Sequence, residues 1–327
     1  MGLNNAQYDA IRRIYDLRQQ EDRRRTAERR EEIYQKLPEL RAISEALSNA
    51  GVNCTRRYIH GDRKARSELS DRIEELKLRR KKILTDNGYP EDYLRPVYVC
   101  SDCQDTGYLP NGSKCHCFMQ EEIRLIYGGE EYERWFSEQN FDTFSLDYYD
   151  ADLTDPLTGM TSLESAQNAF SECKSFVKNF KNQGGNIILN GNTGVGKTFL
   201  SNCIAGALLQ AGYTVLYVTS SRLFDLFQTH VFDHQNPPEL SLAFAADLLV
   251  IDDLGTETSN NFTIQSLFRI VNERLLKHKS TVISTNLSIQ DLQELYTERF
   301  TSRIAENYSF IRLYGRDIRF VKKNVSL

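Results

Sequence analysis

The chain has 327 residues, 40% of them hydrophobic and 26% charged, with a formal net charge of −4. That length accommodates a full catalytic domain plus a further unit, the composition is that of a folded globular protein, and the overall charge does not announce a nucleic-acid partner. No stretch approaches the ~20 apolar residues of a membrane span, and the N-terminus lacks the basic-then-apolar order of a signal peptide, so a cytoplasmic protein without a membrane partner is expected.

The charge is unevenly spread. Residues 1–95 carry 22 Lys and Arg against 17 Asp and Glu, a net of +5, which leaves 19 against 28, or −9, for the remainder. Residues 5–36 contain no glycine or proline, and Tyr8, Ile11, Ile14, Tyr15 and Leu17 form a narrow apolar stripe at helical spacing. Arg23, Arg24 and Arg25 alternate with Glu28, Glu31 and Glu32 along the same segment. Two readings stay open: a solvated face laced with i,i+4 ion pairs, or a stripe that docks on another protein. Pro38 ends or kinks this helix, and further helices are expected over Leu40–Asn49 and Arg63–Leu84, the last broken by Asn87-Gly88. Residues 1–95 thus read as a charged helical module.

Four of the seven cysteines bunch between Cys100 and Cys117. Cys100 and Cys103 are spaced C-x2-C, and Cys115 and Cys117 flank His116. Four thiolates on two knuckles of a short polar hairpin can surround a tetrahedral Zn²⁺ in a closed, structural site. The C-x-C spacing is tight, and His116 can replace one of that pair. A helical stretch over Glu121–Asn140, interrupted at Gly128-Gly129, completes a segment at 96–140. Residues 141–184 read as a linker and leading helix: Phe141 and Phe144 either line a base pocket or dock on the core, and Ser165–Asn182 is an amphipathic helix.

From Asn186 to the end, apolar strands alternate with helices, the pattern of a parallel sheet flanked by helices. Strands are expected at Asn186–Leu189, Thr214–Val218, Leu248–Asp252, Thr281–Ser284 and Phe310–Leu313, and helices at Lys197–Gln210, Ser221–Gln228, Thr263–Lys277 and Ile289–Arg299. His230–Pro238 reads as a loop. Phe224 and Phe227 are either stacking aromatics for single-stranded DNA or core residues of a helix.

The sharpest motif lies after the first strand. Gly191, Asn192, Thr193, Gly194, Val195, Gly196, Lys197 and Thr198 match G-x-x-x-x-G-K-[ST], with strand before and helix after. Glycines let backbone N–H groups turn toward a phosphate, and the helix start adds its positive dipole end. Lys197 would reach the β- and γ-phosphates and the Thr198 hydroxyl would ligate Mg²⁺. Leu248–Ile251 is an apolar run ending in Asp252 and Asp253: Asp252 would hold Mg²⁺, and Asp253 would orient or deprotonate the attacking water. Asn286, at the tip of another strand, either contacts the γ-phosphate or lytic water, or caps the following helix with Ser288. Arg303, with Arg299 as second choice, can be a finger offered to a neighbouring subunit's ATP; Arg319, or else Arg316, can contact phosphates in cis.

The ordered motifs GNTGVGKT, LLVIDDLGTE, TVISTN, ERFTSRI and GRDIR resemble AAA+ ATPases of the bacterial replicative helicase-loader family, and CSDCQDTGYL…CHC followed by FDTF is similar to the branch found in Gram-positive bacteria, their phages and mobile elements. The resemblance covers roughly residues 96–327. It implies ATP and Mg²⁺ binding, slow ATP hydrolysis, binding to single-stranded DNA, self-association through the arginine finger, and delivery of a DnaB-type helicase gripped by a zinc-containing N-terminal region. Asp253 stands where many AAA+ members have Glu, and only eight residues follow Arg319, which leaves no room for a helical lid. A transposition helper ATPase of the IstB type shares the same core and is the alternative.

Overall fold

The computed structural model describes residues 5–59, 65–128 and 130–323. The chain divides into two compact units, Arg12–Thr106 and Gly107–Leu327 with the chain's start up to Ile11.

The smaller unit holds α1 (Asn5–Lys36) from Arg12 onward, α2 (Pro38–Ile59) and α3 (Ala65–Asp86). The expected start of the third helix at Arg63 lies outside the described residues. Pro38 separates α1 from α2 by opening the second helix, where its missing N–H is no loss. Ile33, Leu40, Leu84 and Leu94 form a small core capped by Tyr89 and Tyr93. Along α1, Arg24 bonds both Glu21 and Glu28, Arg25 bonds Glu21, and Lys36 bonds Glu32, all on exposed side chains. That exposed face is therefore laced with i,i+3 and i,i+4 pairs, which water and salt screen to little net worth.

The larger unit centres on five parallel strands: β1 (Asn186–Gly191), β2 (Val215–Thr219), β3 (Leu248–Leu254), β4 (Ser280–Thr285) and β5 (Ser309–Leu313). Their order is β2-β3-β4-β1-β5, so the carboxyl ends of β3, β4 and β1 are neighbours. β3 and β4 are buried almost throughout, which is why they read as continuous apolar runs. Helices α4 (His116–Ile126), α5 (Glu130–Glu138), α6 (Ser162–Gln183), α7 (Lys197–Gln210), α8 (Ser220–Phe232), α9 (Pro238–Ala245), α10 (Asn261–Leu276), α11 (Ile289–Tyr296), α12 (Glu298–Asn307) and α13 (Ile318–Val321) accompany the sheet. A Thr161–Glu164 capping box starts α6. Ser165 Oγ then donates to Arg312 O and accepts from Tyr314 N, while Ser162 Oγ donates to Tyr314 O, so α6 satisfies backbone groups of β5 and the residue after it. Phe224 and Phe227 are buried in α8 and belong to the core.

Three local expectations change. The segment read as a loop from His230 shrinks, because α8 runs on to Phe232 and α9 starts at Pro238, with proline again at a first helical position. The break in the helix after Glu121 falls near Gly128, and its first part starts earlier, at His116. The single helix expected over Ile289–Arg299 is two helices, parted at Thr297, whose φ of 82° is rare for a β-branched residue.

At the amino ends of the strands, Arg274 of α10 is completely buried. Its guanidinium donates to Ala243 O at 2.6 Å, Ser280 O at 2.5 Å and Thr281 Oγ1 at 3.1 Å. Burial pulls its pKa down to about 10, still charged at neutral pH. Ala243 lies in the last turn of α9, where a cation complements the helix dipole. Arg274→Met keeps most of the apolar stem but leaves two buried carbonyls without their donor. It is expected to lower stability by about 2–4 kcal/mol in denaturant melts; a change under ~0.5 kcal/mol, the ordinary surface value, would refute the clamp.

Candidate functional site

β1 delivers the chain to the loop at Gly191, and Gly196 caps α7 in the left-handed region at φ 99°. Gly194, at φ 78°, has no room for a side chain: an added Cβ would lie 2.0 Å from Asp317 Cγ. Hydrogen bonds to its backbone carbonyls fix the loop from two sides. Tyr149 Oη donates to Val195 O at 2.9 Å, and Ile318 N donates to Gly194 O at 3.0 Å. Val195 itself is buried. Lys197 is 5% exposed, and its ammonium donates to Gly191 O and Asn192 O, both at 2.7 Å. Burial lowers the Lys197 pKa, while Asp253 and Asp252 oppose that shift.

The loop opens into a cavity of about 460 Å³, a size suited to a nucleotide. Thr193, Gly194, Gly196, Lys197 and Thr198 line its floor; Asp253, Thr256 and Asn286 come from the tips of β3 and β4. Phe144, Tyr148, Tyr149 and Phe199 give it an aromatic wall, and Ile318, Arg319 and Lys322 come from the C-terminal turn. Phe144 stacks on Phe170 and meets Phe199, whereas Phe141 packs against Phe170 and is not part of the lining. The Lys322 ammonium sits 4.9 Å from the centre of the Tyr148 ring.

Asp252 is buried beside the cavity floor. Its Oδ1 accepts from Ser284 Oγ at 2.5 Å and lies 3.3 Å from Thr198 Oγ1. A hydroxyl and a carboxylate side by side at the foot of a phosphate loop fit the donor set for Mg²⁺. The Asp253 carboxyl is raised above the usual range, first by loss of hydration and then by Asp252, with Lys197 and Arg319 opposing. The helix-capping role weighed for Asn286 falls to Ser288, whose Oγ accepts from Asp291 N, and Asn286 faces the cavity. Of the two C-terminal arginines, Arg319 reaches the cavity, while Arg316 is exposed and 3.9 Å from Asp150. Arg303 lies on α12 with its side chain half exposed, 3.8 Å from Glu306, and is not part of this lining.

Sequence reasoning missed Tyr148, Tyr149 and Lys322. The paired tyrosines just beyond FDTF were the available signal, but their role depends on contact with a loop some 46 residues away.

The cysteine segment forms a separate constellation. The sulfur atoms of Cys100, Cys103, Cys115 and Cys117 lie within 4.8 Å of one another, and none is in a disulfide. The ring of His116 is not in that group; the residue opens α4, and its carbonyl accepts from Thr214 Oγ1. Gln104 and Asp105 turn through φ 52° and 55°, and the Asp105 carboxylate accepts from Val99 N and Cys100 N, which shapes the first knuckle. Tetrahedral Zn–S bonds of ~2.3 Å set sulfurs ~3.8 Å apart, so this group fits a zinc ion after a small contraction.

The family model described as "IstB-like ATP binding protein" matches residues 164–305. The replicative helicase loader DnaC of Escherichia coli strain K12 is 30% identical over 159 residues, covering 47% of this chain and 64% of that protein, just under two thirds of its length. The phage-like element PBSX protein XkdC of Bacillus subtilis strain 168 is 26% identical over 252 residues, covering 72% of this chain and 88% of the relative. A crystal structure of the DnaC helicase loader is 23% identical with a TM-score of 0.46, over 54% of this chain and 98% of that one. Among the described residues no helix is long and apolar enough to cross a membrane. Residues 164–305, which hold the phosphate loop, the paired acids and four of the five parallel strands, are thus similar to IstB-like ATP binding proteins and, in part, to DnaC.

Proposed function

We propose that this protein is an ATP-driven loader that binds a DnaB-type replicative helicase and delivers it onto single-stranded DNA. The observation that carries the reading is the single cavity in which the phosphate loop meets Asp253, Asn286 and Arg319. Similarity to proteins named as replicative helicase loaders supports the choice of partner.

Lys197 binds the β- and γ-phosphates of ATP. Thr198 and Asp252 hold Mg²⁺, which when bound neutralises charge developing on the phosphates. Asp253 and Asn286 orient the attacking water, and Arg319 contacts the phosphates in cis. Arg303 completes a neighbouring copy's site, so the working form is self-associated. Phe144, Tyr148 and Tyr149 flank the base. Residues 1–95 form the helicase-contacting module, 96–140 the zinc segment, 141–184 the linker and leading helix, and 185–327 the ATPase core. Zinc on Cys100, Cys103, Cys115 and Cys117 serves structure: four protein ligands leave no open position. One zinc per purified chain is expected by elemental analysis, falling well below that in Cys103→Ser; a metal-free, fully folded wild type refutes the assignment.

The test of function is affinity capture of a replicative helicase with ATP, followed by helicase-dependent unwinding of protein-coated single-stranded DNA. Capture and stimulated unwinding support the loader. The description of the matching family model favours one second reading, a transposition helper of the IstB type. A chain that ignores the helicase and coats duplex DNA with ATP is that helper instead.

A further inference from the structure

β3 does not run straight to its tip. It pairs with β4 in regular register from Leu248 to Ile251, skips, and resumes with Leu254 opposite Thr285. Asp253, in the gap, has φ 55°. Aspartate is one of the few residues with a side chain that enter this left-handed region readily. A bulge of this kind re-aims a side chain beside an active site. Here it leaves Asp252 buried against Thr198 and puts Asp253 on the cavity wall with Lys197 and Asn286. The backbone thereby changes the aim of a carboxylate one methylene shorter than the glutamate found there in many AAA+ members.

Two buried hydroxyls fasten the bulge. Ser284 Oγ donates to Asp252 Oδ1 at 2.5 Å and accepts from Asp253 N at 2.8 Å. Ser220 Oγ, at the start of α8, donates to Asp253 O at 3.0 Å. Both serines are fully buried. Thr256, next to them on the cavity side, donates to the same carbonyl at 2.9 Å. Ser284 hydrogen-bonds to both acidic residues: its proton fixes the Asp252 carboxylate, and its lone pair fixes the peptide that carries Asp253.

We propose that Ser284 is a positioning residue for ATP hydrolysis, locking the Asp252–Asp253 bulge so that one acid faces the metal position and the other the water, with Ser220 as the second fastener. This rests on the ATPase reading given above. Ser284 is buried and is not part of the cavity lining, so its removal should act on turnover and spare binding.

The experiment measures steady-state hydrolysis and the affinity of a non-hydrolysable ATP analogue, with Mg²⁺, for the full chain and for Ser284→Ala, Ser284→Thr and Ser220→Ala. Ser284→Ala is expected to lose ~10- to 100-fold in kcat, the range of a small misplacement of a catalytic group, with KM and analogue affinity within ~3-fold of wild type. Ser284→Thr restores the hydroxyl on a strand that accepts β-branched residues and should recover most of the loss. Ser220→Ala should show a smaller fall of the same kind. An unchanged kcat in Ser284→Ala, a loss confined to affinity, or a folded Ser284→Thr no better than alanine overturns the proposal. Should Ser284→Ala fail to melt cooperatively, Ser220→Ala decides, and an unchanged kcat there overturns it. A wild-type chain that binds ATP but never hydrolyses it, with DNA and helicase present, removes the ATPase reading and this assignment together. That result is distinct from an active wild type indifferent to Ser284.

Discussion

Lys197→Ala is expected to lose ATP affinity by about 30- to several thousand-fold, equivalent to the 2–5 kcal/mol at stake when a buried, hydrogen-bonded charge is truncated. The structure supplies the reasons. Lys197 is almost completely buried, and two of its three donors are already spent on Gly191 O and Asn192 O. The ammonium is therefore held at the floor of the cavity before any ligand arrives, and little ordering is left to do on binding. Burial lowers its pKa, but the nearby Asp253 and Asp252 work against that, which favours the charged form a phosphate needs. Alanine removes the charge and both loop bonds together. Titration calorimetry with a non-hydrolysable ATP analogue and Mg²⁺ checks this, with a thermal melt to show that the variant is folded. An affinity within threefold of wild type would place the nucleotide elsewhere.

That expectation was legible in eight consecutive residues because a phosphate loop is a local device: strand, glycine turn and helix start follow one another in the chain. β3 and β4 were legible for a similar reason, since burial on both faces leaves an unbroken apolar run. What stayed hidden depends on contacts between distant segments or on backbone states that leave no mark in hydrophobicity. Pro237 and Pro238 look like a loop, yet proline at a first helical position starts α9. Nothing in Glu294–Arg299 signals a break, but Thr297 turns at φ 82° and parts α11 from α12. The bulge at Asp253 is invisible to pattern reading: Leu248–Asp252 followed by Asp253 reads as a strand that simply ends in two acids. Its position emerges only when the register with β4 is known and Ser284 is seen bridging both carboxylate-bearing residues. The sequence therefore located the acids but not their aim.

Arg303→Ala is expected to bind ATP as wild type does and to hydrolyse it about 10³- to 10⁵-fold more slowly, the range found for arginines supplied in trans. α12 buries Phe300 and Ile304 while Arg299 and Arg303 remain exposed. Arg303 pairs with Glu306 at 3.8 Å on the same exposed face, a pair of small energetic worth that leaves the guanidinium available to a partner. The helix that carries it is anchored. Tyr296, the last residue of α11, donates to the Glu257 carboxylate, and Glu257 also accepts from Gly255 N in the loop that follows β3. The turn after the two acids is thus connected to the joint at Thr297 from which α12 departs, so a nucleotide-dependent shift of that turn has a direct route to the arginine. Mixing separates trans from cis action. At ATP concentrations below its weakened affinity Lys197→Ala should stay empty, and Arg303→Ala should fail to complete a neighbour's site, so each alone is expected to be nearly inactive. In a one-to-one mixture of a head-to-tail assembly, about a quarter of the interfaces pair an intact loop with an intact arginine, and hydrolysis should reappear in that proportion. An Arg303→Ala variant with full activity refutes the finger. A mixture that stays inactive, while both variants co-assemble, assigns Arg303 to its own chain's chemistry or to folding.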